Sequence, residues 1–327
     1  MHYRQLGSTD LKISELSFGT WAIGGAWGSN DDDDSLKALD KAMGEGVNFF
    51  DTADVYGGGH SEELLKKATK GKEDEIHIAS KFCRAGDIHS AKTYSKKQVK
   101  EYLTATLSRL GREQIDLYQI HCPPLDIIQD GEVFQVLDDL QQEGLIRHYG
   151  VSVESVEEGL ASLAYPNVKA LQVIFNIFRQ KPARELFPKA QEQGVGILAR
   201  VPLASGLLTG KFNENHAFEE DDHRKFNRDG QMFNVGETFA GLPFEKGVAL
   251  SRKLEWIKEG RESMTAASLR WILEHDAISA AIPGFKNTKQ VESNLKAVDV
   301  KPFTPSELDQ LKRFYDEQVH EHIRGSY

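Results

Sequence analysis

Along the chain, short runs of apolar and β-branched residues alternate with longer stretches in which apolar positions recur every three or four residues. The short runs predict eight strands, at residues 16–19, 47–51, 77–81, 116–121, 147–152, 170–175, 195–200 and 277–282. The longer stretches predict amphipathic helices between them, among them 35–44, 62–69, 95–110, 133–143 and 183–193. Strands alternating with helices at this spacing indicate βαβ units and a parallel sheet, and eight such units close into a (β/α)8 TIM barrel of the α/β class. Two segments stand outside the repeat. Tyr3-Arg4-Gln5-Leu6-Gly7 and Leu11-Lys12-Ile13 read as a small β-hairpin ahead of the barrel. Residues 213–243 are polar, charged and without helical periodicity, which predicts a long mobile loop that orders over a bound ligand.

End signals agree with this register. Ser95 with Gln98, and Thr304 with Glu307, fit capping boxes at helix starts. Gly144 and Gly194 stand where helix ends need a left-handed residue. The acidic run from Asp31 to Asp34 would favour the N-terminus of the helix that follows it.

A length of 327 residues exceeds the usual single domain but suits a barrel, and no linker or internal repeat divides it, so one domain is expected over 1–327. With 40 Lys and Arg against 50 Asp and Glu, the net charge of −10 argues against a nucleic-acid partner. No apolar run is long enough to span a bilayer, and no signal segment opens the chain. Two cysteines, Cys83 and Cys122, make no disulfide framework, and a cytoplasmic setting is the expectation.

In such a barrel the chemistry lies at the C-terminal ends of the strands. There the second strand ends in Asp51, closely followed by Tyr56; the third ends in Lys81 and the fourth in His121. Taken singly, each has an ordinary reading: a turn-forming Asp, a solvated Lys, a satisfied core His. Together they put an acid, a phenol, an amine and an imidazole on one rim. Lys81 closes an apolar run, where an unpaired ammonium is costly, and Asp51 is its natural partner.

Asp51-Thr52-Ala53 with Tyr56-Gly57, then Lys81, then Asp116-Leu117-Tyr118-Gln119-Ile120-His121, resemble in order and separation the signatures of the aldo-keto reductase superfamily. The resemblance covers nearly the whole chain and is closest in character to the branch with bacterial general-stress reductases and potassium-channel beta subunits. It implies NADPH-dependent reduction of an aldehyde or ketone to an alcohol. Tyr56 would donate the proton, Lys81 would lower its pKa, Asp51 would hold Lys81 charged, and His121 would orient the substrate oxygen. Nicotinamide would supply the hydride.

The same resemblance implies a cofactor site. Gly19, Thr20 and Trp21, with Asp51, Ser152 and Gln172, would surround the nicotinamide. Arg200 stands where many relatives carry a stacking aromatic, and Val153 stands where many carry Asn. Pro202, Leu203, Ser205, Gly206, Leu208, Gly210 and Lys211 would wrap the pyrophosphate. Gly284, Lys286, Gln290 and Asn294 would hold the adenosine phosphate, with Lys286 meeting the extra phosphate of NADP. Trp21 and Trp27 would wall the substrate pocket beside Tyr56 and His121. No metal is expected, and the partner is a small carbonyl compound. A nicotinamide-sensing regulatory subunit with little turnover is the alternative. A metal-dependent barrel hydrolase using Asp51 and His121 lacks a His-x-His pair and a His/Glu helix motif. No GxGxxG follows a strand, so a Rossmann reading has little support.

Overall fold

A computed structural model describes residues 1–25 and 31–327; Trp27 lies outside the described residues. The chain opens with an antiparallel hairpin of β1 (Tyr3–Gln5) and β2 (Lys12–Ser14). Eight parallel strands follow among the described residues: β3 (Phe18–Gly19), β4 (Phe49–Asp51), β5 (His77–Phe82), β6 (Ile115–His121), β7 (Ile146–Ser152), β8 (Val168–Ile174), β9 (Gly196–Arg200) and β10 (Ile278–Ala281). Each pairs with the next in chain order. The sheet closes on itself where Ser17 N–H donates to the Ala281 carbonyl at 2.9 Å and Gly19 N–H to that of Pro283 at 3.1 Å. The predicted (β/α)8 barrel and its hairpin are therefore both present, with strand ends displaced by only one or two residues from their predicted positions.

Side chains alternate across a strand, and that alternation positions the site. Phe49, Ala79, Leu117, Ala170, Leu198 and Ala280 point inward and pack with Leu6, Leu11 and Ile13 of the hairpin. The hairpin thus plugs one end of the barrel with hydrocarbon. Two residues further along β4, β5, β6, β8 and β9, the same inward face carries Asp51, Lys81, Gln119, Gln172 and Arg200. Register pairs Lys81 with Gln119, His121 with Ser152, and Ser152 with Gln172. Polar groups are gathered at one rim because the apolar floor occupies the other. A larger core fills the space between strands and outer helices. No described helix is long and apolar enough to cross a membrane.

Two local expectations need correction. Ser95 precedes the helix Lys96–Leu110 but forms no capping box. Its hydroxyl donates instead to the Lys92 carbonyl at 2.8 Å, an acceptor supplied by the preceding turn. Thr304 and Glu307 do form the box, and Ser155 with Glu158 forms a further one. Residues 213–243 are also more structured than their composition suggested. They hold the short helix His223–Phe226, capped by Asp222, and the turns Val235–Glu237 and Phe239–Gly241. Arg324 secures this segment by donating to the carbonyls of Arg228, Gly241 and Leu242 and pairing with Asp229.

Candidate active site

Lys81 is fully buried, and its ammonium is fixed by three contacts. Nζ donates to Asp51 Oδ1 at 2.6 Å and to the Thr52 carbonyl at 2.8 Å, and lies 3.5 Å from Tyr56 Oη. Asp51 Oδ2 accepts from Gln172 at 2.7 Å and from Gln119 at 3.3 Å. Register on neighbouring strands brings these groups together from four separate chain segments. Tyr56 arrives from the loop after β4, which turns sharply at Gly57 (φ +62°). A Cβ at Gly57 would lie 2.4 Å from the Gly24 carbonyl oxygen, so the turn that aims Tyr56 requires glycine. The Tyr56 ring packs against Trp21 and meets His121 edge-on, with centroids 6.2 Å and 6.0 Å apart.

These contacts set the protonation states. Burial alone would lower the pKa of Lys81, but the facing Asp51 carboxylate and Tyr56 raise it above its ordinary value, so it remains an ammonium. Burial raises that of Tyr56, while Lys81 pulls it down. The net direction is upward, so the proton stays on Oη, with Lys81 acting against burial as expected. His121 is pushed well below its usual value by burial and by Arg84, Lys81 and Arg200. A neutral imidazole therefore faces the phenol, with its Nδ1 buried and without a hydrogen-bond partner.

A cavity of about 690 Å3 opens from this cluster, well within the range of small-molecule and cofactor sites. Gly19, Thr20, Trp21, Asp51, Tyr56, His121 and Gln172 line one end. Arg200, Pro202, Leu203, Ser205, Gly206 and Lys211 line its middle, and Gly284, Lys286, Gln290 and Asn294 its far end. Among the described residues, four predicted ones are not on its wall: the buried Lys81 and three of the cofactor residues. Ser152 is buried with its Oγ 3.4 Å from Cys122 Sγ, Leu208 packs in the core, and Gly210 ends a turn against Met264.

The middle wall is backbone under strain. Val201, Ala204 and Ser205 have φ of +52°, +49° and +54°, and Gly206 continues at +102°. Left-handed conformations cost non-glycine residues roughly 1–2 kcal/mol each and gather at functional sites. Ser205 is held there by accepting from Phe239 N–H at 3.0 Å and donating to the Glu237 carbonyl at 3.1 Å. At the far end, Lys286 N–H donates to Gln290 Oε1 at 2.7 Å, and Asn294 donates to the Gly284 carbonyl at 3.2 Å. The Gly284-to-Lys286 turn is thereby fixed onto the helix Thr288–Leu295.

Arg200 is more constrained than expected of a stacking residue. Its guanidinium pairs with Glu237 and donates to the Val153 carbonyl at 2.9 Å. Glu237, Arg84 and Thr265 line the cavity and were absent from the sequence reading; Arg224 and Lys289 line it as well. Arg84 carried a signal, since it follows Lys81 by three residues at the strand exit. Glu237 carried none, because only the folded segment brings it to Arg200. Cys122, Glu154 and Glu237 place ligand atoms within 4.8 Å of one another, but Arg84 and Arg200 already engage the two carboxylates.

The arrangement holds a transferable proton on Oη, between an ammonium and a neutral imidazole, on the wall of a large cavity. The profile of the aldo/keto reductase family matches residues 15–316. The aldo-keto reductase YhdN of Bacillus subtilis is 32% identical over 90% of this chain and 87% of its own length. The NADH-specific methylglyoxal reductase of Escherichia coli is 26% identical over 90% of this chain and 93% of its own. The holo form of an aldo-keto reductase from Bacillus halodurans superposes with a TM-score of 0.75 at 29% identity, covering 99% of this chain and 100% of that one. Strand order, rim and sequence thus agree, and the chain belongs to the aldo/keto reductase family.

Proposed function

We propose that this protein reduces an aldehyde or ketone to an alcohol with NADPH, and that Tyr56 donates the proton. The observation that carries the reading is the Lys81 ammonium lying 2.6 Å from Asp51 and 3.5 Å from Tyr56 Oη, with Asp51 and Tyr56 on the cavity wall. A bound nicotinamide supplies a hydride to the carbonyl carbon. The carbonyl oxygen gains negative charge in that step, and Tyr56 Oη gives it a proton. Lys81 stabilises the tyrosinate left behind, and Asp51 keeps Lys81 charged through Oδ1 while its other oxygen is held by the amides of Gln172 and Gln119. Neutral His121 donates a ring N–H to the same oxygen and sets its direction.

The cavity's volume and lining suit the cofactor. Left-handed backbone over Ala204 to Gly206, with no side chain at Gly206, lets a phosphate approach the chain closely. Lys286, Lys289 and Arg224 gather positive charge at the far end, which supports NADPH over NADH for this chain. The test is to follow oxidation of NADPH and of NADH with a panel of aldehydes, ketones and diketones. Turnover with NADPH in preference to NADH is expected. Tight NADPH binding with no turnover on any carbonyl would instead support a regulatory subunit.

A further inference from the structure

We infer that the carbonyl substrate carries an anionic group, a carboxylate or a phosphate ester, and that Arg84 binds it. This rests on the reductase reading above and names the substrate class of that site. Arg84 leaves β5 three residues after Lys81 and lines the cavity together with Tyr56 and His121. Its Nε donates to the His121 carbonyl at 3.2 Å, and its Nη2 to Glu154 Oε1 at 2.7 Å. Those two bonds fix the plane of the guanidinium. Nη1 has no partner among the described residues, so a fixed cationic donor remains available beside the catalytic imidazole.

Three guanidiniums, of Arg84, Arg179 and Arg200, stand behind this wall with three carboxylates, of Glu154, Glu158 and Glu237. Each carboxylate is already engaged. Glu154 accepts from Arg84 and from Asn234, and Glu237 is paired with Arg200. Arg179 is buried with Nη1 unpartnered, and Arg200 is buried with Nε unpartnered. Arg84 and Glu154 are only partly buried, so Arg84 Nη1 is reachable from the cavity. The positive field of Arg84 and Arg200 reaches the catalytic ring, since both help keep His121 neutral.

A neutral carbonyl compound would leave Arg84 Nη1 to water. An anionic one would make a charge-assisted bond there. Because Arg84 adjoins the His121 carbonyl, the anion and the carbonyl belong to one short molecule.

Matched substrate pairs test this: succinic semialdehyde against butanal, and glycolaldehyde phosphate against glycolaldehyde, each with saturating NADPH. The wild type is expected to favour the anionic member of at least one pair in kcat/KM, and the favoured pair identifies the group. Arg84→Met should reduce that preference by about 10–100-fold, mainly through KM, the loss expected for one charge-assisted hydrogen bond. Arg84→Lys should retain part of it, and rising salt should erode it in the wild type. Equal or better use of the neutral members by the wild type would overturn the inference and leave the reductase reading standing. So would an unchanged preference in Arg84→Met. Absence of turnover on every member would overturn the reductase reading itself, and this inference with it.

Discussion

Asp54 lies three residues beyond Asp51 and two before Tyr56, yet it meets a different fate. Both its carboxyl oxygens are buried without a partner. Burial and the nearby Glu62 push its pKa up to about 7, with Arg109 opposing them. A folded pKa raised above the unfolded value means that the protonated form favours the fold. Its contribution is complete below the ordinary carboxylate range and is lost as pH rises toward 7. Asp54→Asn should therefore raise Tm above that of the wild type at about pH 8, and much less near pH 4. The difference is on the order of 1–4 kcal/mol, measurable by thermal unfolding across that range. At the other end of the cavity, Lys286→Ala should weaken NADPH by about 10–100-fold in a fluorescence titration and leave NADH nearly unchanged. Equal weakening of both would separate Lys286 from the extra phosphate. Asp51, Tyr56, Lys81 and His121 could be read from the chain because each sits on or just past a strand end marked by its own apolar run. Glu237 could not, because its role comes from pairing with Arg200 across segments distant in sequence, and Arg84 was signalled only by its place at the strand exit after Lys81.

Helix starts show how far local signals reach. Ser95, Ser155 and Thr304 are all Ser or Thr with Glu or Gln three residues later. Only the last two cap through their side chains. Ser155→Ala and Thr304→Ala should each cost about 1 kcal/mol in urea unfolding, the usual worth of such a cap. Ser95→Ala should cost clearly less, because its hydroxyl serves a turn carbonyl and leaves no helix N–H orphaned when removed. Equal losses at all three positions would contradict the assignment. Strands were legible to within one or two residues because each buries a short apolar run on both faces. Residues 213–243 were not, since their turns are held by Asp222, Asn234 and Arg324 rather than by any periodic face.

At the scale of the molecule, two closures make the site. The hairpin fills the barrel floor with Leu6, Leu11 and Ile13, which leaves polar residues only the opposite rim. The segment 213–243 covers that rim, contributing Arg224, Met232, Phe233 and Glu237 to the cavity wall. The sequence announced the first through its alternating pattern and the second only as an irregular excursion. Since Glu237 holds both Arg200 and Ser205, saturating NADPH should slow amide exchange across 213–243, and opening of this cover would then pace cofactor release. Unchanged protection would mean that the segment is a fixed wall. Strand register, apolar floor and cover all converge on one proton, that of Tyr56. Single-turnover stopped-flow of the NADPH complex with a reactive aldehyde tests it most directly. Tyr56→Phe is predicted to bind NADPH close to normally while hydride transfer slows by roughly 10²–10⁴-fold, the usual share of general acid catalysis. A Tyr56→Phe enzyme that transfers hydride at the wild-type rate would contradict it.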